Sequence, residues 1–161
     1  MAITIELSVS NDVNESQLPS EENFQHWAQA SYPGDDEVVA SLQIVSSDEM
    51  KNLNKDYRGK DKPTNVLSFP MELPEEVGIN ILGDLALCDE VIKAEAKQQD
   101  KTSEEHGAHM IVHGMLHLQG YDHIDDDEGE VMEAQEIKIM KNQVTIIIVT
   151  LFIFTASISQ N

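Results

Sequence analysis

The sequence predicts one α/β domain followed by an atypical apolar tail. Three observations carry this reading. Four short runs rich in Ile, Val and Leu fall between residues 3 and 88, and stretches with helical spacing or helix-start signals separate or follow them. At 161 residues the chain is long enough for a real hydrophobic core and of the length of one domain. Its densest chemistry sits in a single segment, residues 113–123, and no internal repeat is visible.

Ile3, Ile5, Leu7 and Val9 alternate with polar residues, which predicts a half-buried strand. Pro19-Ser20-Glu21-Glu22 opens a helix with acids in its first turn, and Phe24, Trp27 and Ala28 give that helix its apolar stripe. Pro33-Gly34-Asp35 ends this unit. Val38 to Val45 is the second strand. Ser46-x-x-Glu49 is a capping box for a short helix carrying Met50, Leu53 and Tyr57. The Gly-, Pro- and charge-rich stretch from Tyr57 to Asn65 predicts a loop. Val66 to Phe69 is a third strand stopped by Pro70, residues 71–80 form an exposed excursion, and Ile81 to Cys88 is a fourth strand. Asp89 to about Lys101 is a polar helix. Ser103-Glu104-Glu105 starts the next, and Asp125 to Glu128 caps a last amphipathic helix reaching about Met140.

Thirty acids against ten Lys and Arg leave a formal net charge of −20. Such a surface opposes nonspecific nucleic-acid binding over most of its area. The cations are unevenly placed, however. Five of the ten are Lys51, Lys55, Arg58, Lys60 and Lys62, and Arg58 is the single arginine. A local patch of this kind focuses an anionic substrate, or it is solvated charge on a helix end and loop. One cysteine, Cys88, excludes an internal disulfide framework and fits a reducing, cytoplasmic setting. The first seven residues lack the basic segment of a secretory signal.

The chemical centre of the sequence is His113-Gly-Met-Leu-His117-Leu-Gln-Gly120-Tyr-Asp-His123. Residues four apart share a helix face, so His113 and His117 point at one centre. Gly120 ends the helix, and the turn brings His123 toward the same point. Three imidazoles with an open fourth position describe a catalytic, zincin-like zinc site, and imidazole also suits Ni2+. The spacing is that of the metzincin peptidases, but the residue after the first histidine, their general base Glu, is Gly114 here. A structural zinc would call for a closing ligand such as Cys, and Cys88 is distant in sequence. A helix with ordinary satisfied histidines is the plainest alternative. His106 and His109 read as ordinary helix residues, with His109 near the site.

Taken with Tyr57-Arg-Gly-Lys-Asp-Lys-Pro-Thr-Asn-Val-Leu-Ser-Phe-Pro70, this histidine motif resembles the YbeY family of bacterial endoribonucleases. Leu82-Gly-Asp84 supports the resemblance, which spans roughly residues 3–140. It implies an α/β fold with a mixed four-stranded sheet and about five helices. It implies a zinc-dependent, single-strand-specific endoribonuclease that matures ribosomal RNA, with RNA and the ribosome or its proteins as partners. It implies one zinc on His113, His117 and His123, and a functional arginine at Arg58.

Under that reading Arg58 clamps a phosphate, with Lys60 and Lys62 steering it. Asp122 and Asp84 are the candidates to accept the imidazole N–H groups. Asn65 and Ser68 hydrogen-bond either substrate or their own loop and strand, and Tyr121 packs. A metallopeptidase and a non-catalytic, metal-stabilised ribosome-binding module are the competing functions. The domain is expected to cover 1–141. The uncharged stretch 142–161 departs from the family and has three readings: a short membrane-associated anchor, an element packed on the domain, or a non-native end. Membrane association is expected only if the tail is such an anchor.

Overall fold

The computed structural model describes residues 2–78, 80–122 and 125–159. Its four strands are β1 (Ile3–Val9), β2 (Val38–Ile44), β3 (Val66–Pro70) and β4 (Ile81–Leu87). They form one sheet in the order β1-β2-β4-β3. β1, β2 and β4 run parallel, and β3 runs antiparallel on the outer edge of β4. The mixed four-stranded sheet is therefore present. Five α-helices accompany it among the described residues: α1 (Glu21–Ala30), α2 (Ser47–Arg58), α3 (Asp89–Gln98), α4 (Ser103–Leu118) and α5 (Asp126–Ser159).

Strand alternation divides the sheet into two faces. One carries Ile3, Ile5, Leu42, Ile44, Leu85 and Leu87, and it packs against Phe24 and Trp27 of α1, Ile92 of α3, and Ile111 and Met115 of α4. The other carries Leu67, Ala86 and Cys88, covered by Met50 and Leu53 of α2. Burial of each large aliphatic side chain contributes about 1.5–3 kcal/mol. The exposed Lys51–Asp61 pair at 4.0 Å belongs to a class worth about 0–1 kcal/mol. The two apolar faces, not surface charge, hold the sandwich together.

α4 is the central helix. Ten of its sixteen residues are buried, as expected of a helix that is apolar nearly all round and is enclosed by other elements. The sheet lies on one side of it, α1 and α3 flank it, and α5 covers its outer side through Val112, Leu116, Met132 and Ile139. Between His106 and Leu118 the positions left only partly covered are His109, His113 and His117. These are four residues apart and form a single imidazole stripe.

The capping signals hold: Ser20, Ser46 and Thr102 accept from the backbone N–H groups of Asn23, Glu49 and Glu105, and Asp125 Oδ1 accepts from Glu128 N at 2.8 Å. Two expected boundaries are corrected. α2 carries Tyr57 as expected and extends one residue further through Arg58, which the composition assigns to the loop, because nothing breaks it before Gly59 at φ 71°. α5 continues past Met140 to Ser159, since residues 141–159 contain neither Gly nor Pro and β-branched residues cost a helix little. Among the described residues no helix is long and apolar enough to cross a membrane.

Candidate active-site cleft

The histidine stripe opens into a cleft of about 620 Å³ at the β3 edge of the sheet. His113 and His117 line it from α4, Tyr57 and Arg58 from the last turn of α2, Val66 and Ser68 from β3. Residues 55 positions apart in sequence, Arg58 and His113, thus face one space. The helical spacing of the motif and the end of α2 together create this meeting.

His113 and His117 bring their Nε2 atoms to 3.1 Å, with the rings 4.6 Å apart and nearly perpendicular. Behind them stands Glu136 of α5, only 8% exposed. Its Oε1 lies 2.5 Å from His113 Nδ1 and its Oε2 lies 3.0 Å from His109 Nε2. Burial pushes the Glu136 carboxyl up, but hydrogen bonds from His109 and His113, and the charge those rings carry when protonated, outweigh it and hold the pKa at about 2. The carboxylate is therefore ionised and accepts only. His113 Nδ1 and His109 Nε2 are the donors, while His113 Nε2 lies on the side of His117.

Two imidazole nitrogens bound tetrahedrally at ~2.0–2.1 Å from zinc stand about 3.3–3.4 Å apart. The observed 3.1 Å separation and the carboxylate behind one ring fit a metal-ligating pair. Among the described residues no cluster of three or more His, Cys, Asp or Glu is arranged as a metal site, and the expected third ligand, His123, lies outside the described residues.

Gly120 adopts φ 97° directly after α4, the left-handed conformation expected to end it. Gly114 has a different reason to be glycine. A Cβ there would lie 2.9 Å from Leu85 Cδ2 and 3.2 Å from Val66 Cγ2. Position 114 faces the packed side chains of β4 and β3, and a Cβ there would force Leu85 and Val66 to shift. A peptidase-type glutamate would be driven into that packing.

Other expected site residues are placed variously. Asp122 lines the cleft. Asp84 does not join the histidines. Leu85 faces α4, so Asp84 is on the opposite face of β4, where its carboxylate accepts from Ser41 Oγ. The observed acceptor of the His113 N–H is Glu136 instead. Lys60 and Lys62 are exposed and do not line the cleft. Their backbone closes the loop after α2, where Asn54 Nδ2 donates to Lys62 O at 2.8 Å. Asn65 and Ser68 line the cleft, yet both side chains are engaged by the protein. Asn65 Nδ2 donates to Glu95 at 3.0 Å, and Glu95 also meets buried His106 at 3.2 Å. Ser68 Oγ donates to Gly114 O at 3.2 Å, tying the β3 edge to α4 beside His113. Tyr121 packs beside Leu116 and Met132, as expected.

Glu136 was missed in the sequence, although a signal exists. Met132, Glu136 and Met140 are spaced i, i+4, i+8, so Glu136 is an acid on the apolar stripe of α5. A buried acid on a core-facing stripe needs a partner, and the histidines of α4 are that partner.

A mixed α/β sheet with an imidazole-lined cleft at its edge, rimmed by Arg58, defines the class: a small α/β protein with a polar cleft at the sheet edge. Comparison with known proteins gives the family. The profile described as Endoribonuclease YbeY matches residues 8–143, and the chain belongs to that family. The family is one of endoribonucleases, hydrolases of RNA that act in ribosomal RNA processing. The chain is also similar to the solution structure of TM1509 from Thermotoga maritima, with 29% identity over 86% of this chain and 87% of that one and a TM-score of 0.59.

Proposed function

We propose that this protein is a metal-dependent endoribonuclease that cleaves single-stranded RNA during ribosomal RNA maturation. The observation that carries the reading is the shared cleft, in which the His113–His117 pair and Arg58 face the same space. His113, His117 and His123 would hold one Zn2+, with Ni2+ a possible substitute on imidazole ligands. Bound there, the ion supplies Lewis acidity toward a phosphoryl oxygen and makes a water more acidic.

The chain's own residues supply the rest. Glu136 fixes the His113 ring and its tautomer, so that Nε2 is the nitrogen that would ligate. Arg58 presents a planar fork of donors that matches a phosphate and stabilises charge developing on its equatorial oxygens. Lys60 and Lys62, exposed on the adjoining loop, attract the backbone at longer range. Asp122, which lines the cleft, would accept an N–H from one of the ligating imidazoles.

Biologically, the reading places the enzyme in the cytoplasm, on the ribosome or its proteins, in 16S 3′-end maturation and ribosome quality control. The family and its resemblance support these assignments. The catalytic domain is 1–141, consistent with a family match that stops at residue 143.

The test is metal content together with cleavage of a single-stranded oligoribonucleotide, for wild type, His117→Ala and Arg58→Ala. Wild type should carry about one zinc per chain and cut the RNA. His117→Ala should lose metal and activity. Arg58→Ala should keep metal and melting temperature, because Arg58 is exposed, while kcat falls roughly 10²–10³-fold. A metal-loaded wild type that leaves the RNA intact would overturn the proposal.

A further inference from the structure

Tyr57 is 55% exposed, yet it is not a loose surface ring. It sits in the last turn of α2 next to Arg58, lines the cleft, and packs edge-on against Phe69 of β3 with centroids 4.6 Å apart at 61°. Phe69 itself packs against the cluster of Val45, Met50 and Leu67. The ring is therefore anchored on one side by the fold and open on another, at the rim of a site facing RNA.

The charge of the cleft gives this ring a task. Among the described lining residues Arg58 is the one permanent cation, whereas Asp122, Glu133 and Glu136 are acids. Ion pairing therefore contributes little affinity for a polyanion here, and the overall charge of −20 opposes it. Stacking of a base on an aromatic face needs no positive charge, is tolerant of sequence, and requires a base that is out of a duplex.

We propose that Tyr57 is a nucleobase-stacking subsite that holds the base next to the phosphate on Arg58. This rests on the endoribonuclease reading and deepens it. It makes selection of single strands a property of the cleft itself, because a base inside a helix has its faces occupied by its neighbours. A ring already fixed by Phe69 loses little freedom when the base arrives, so more of the stacking energy appears as affinity.

The experiment uses the full chain, loaded with zinc, and short single-stranded oligoribonucleotides carrying 2-aminopurine or an abasic sugar at each position in turn. Binding by wild type should quench 2-aminopurine at one position. Tyr57→Leu should abolish that quench and raise KM roughly 5- to 100-fold, with kcat changed much less. Tyr57→Phe and Tyr57→Trp, which keep a ring, should restore both. An abasic sugar at the same position should weaken wild type to the level of Tyr57→Leu and weaken Tyr57→Leu no further. The loss should also change little between low and moderate salt.

If wild type shows no position-specific quench, or if Tyr57→Leu weakens intact and abasic substrates equally, the subsite does not exist and Tyr57 only packs on Phe69. If Tyr57→Leu melts lower than wild type, Tyr57→Phe and the abasic series on wild type decide alone. Because the quench is read without turnover, a wild type that binds and quenches but does not cleave would count against the endoribonuclease reading and leave this one standing.

Discussion

Glu136 meets two histidines with its two oxygens, and this single side chain determines what His113 can do. An ionised carboxylate at 2.5 Å from Nδ1 holds the proton on that nitrogen, the arrangement that the proposed metal site would need. Replacing it by Glu136→Gln removes the charge and one of two acceptors while keeping the shape. We expect zinc affinity, measured by competition with a chelator, to fall about 10- to 100-fold. An unchanged affinity would show that packing alone orients the ring. At the same scale, Arg58 and Tyr57 line the cleft from adjacent positions of one helix turn, so the proposed phosphate and base contacts would come from the same short segment.

Among the elements, α4 carries the largest share of constraint. It has to pack on the sheet, support α5 and keep one stripe open, and its residues sort accordingly: small Gly114 toward Leu85, apolar Val112 and Leu116 toward α5, histidines toward the cleft. The sequence difference from a peptidase zinc helix is thus also a packing requirement. Gly114→Glu, which restores the peptidase pattern, should destabilise the protein by at least about 3 kcal/mol, because it buries an unpaired charge. Urea unfolding reads the loss, and no peptide cleavage should appear with it. A Gly114→Glu protein of normal stability would mean that α4 can move away from β4. The boundaries of α2 and α5 show why element ends were less legible than element types. α2 ran on until a residue with a reason to stop it, Gly59, one position beyond Arg58, and α5 ran past Met140 because no Gly or Pro interrupts it there.

Considered as a whole molecule, the protein is a sheet covered on both faces, with its site at the edge where antiparallel β3 joins. The edge location lets a helix end from one face and a helix stripe from the other reach the same cleft. The stretch beyond residue 141 forms the later part of α5, as far as Ser159. Ile139 is buried against Val112 and Leu116, and the family match ends at residue 143. Removing everything after Met140 should therefore leave the melting temperature and RNA cleavage near wild type. Loss of the fold would show instead that the uncharged segment packs on the domain, and release from a membrane fraction would identify an anchor.

The sequence by itself determined the strands, the helix starts and the pairing of His113 with His117. Each depends on local periodicity or on a side chain capping its own helix, and neighbours in sequence suffice for that. Together with the Tyr57–Pro70 motif it also pointed to the family. Only the tertiary structure decided which acid stands behind His113, because Glu136 is 23 residues away on a different helix, and the sequence pointed to Asp122 and Asp84 instead. Which face of β4 Asp84 occupies depends on where α4 packs, and a period of two states only that one of two faces is taken. The meeting of Arg58 and Tyr57 with the histidines is likewise a consequence of sheet order. β3 pairs on the outside of β4, and that long-range pairing brings the end of α2 to the open side of α4.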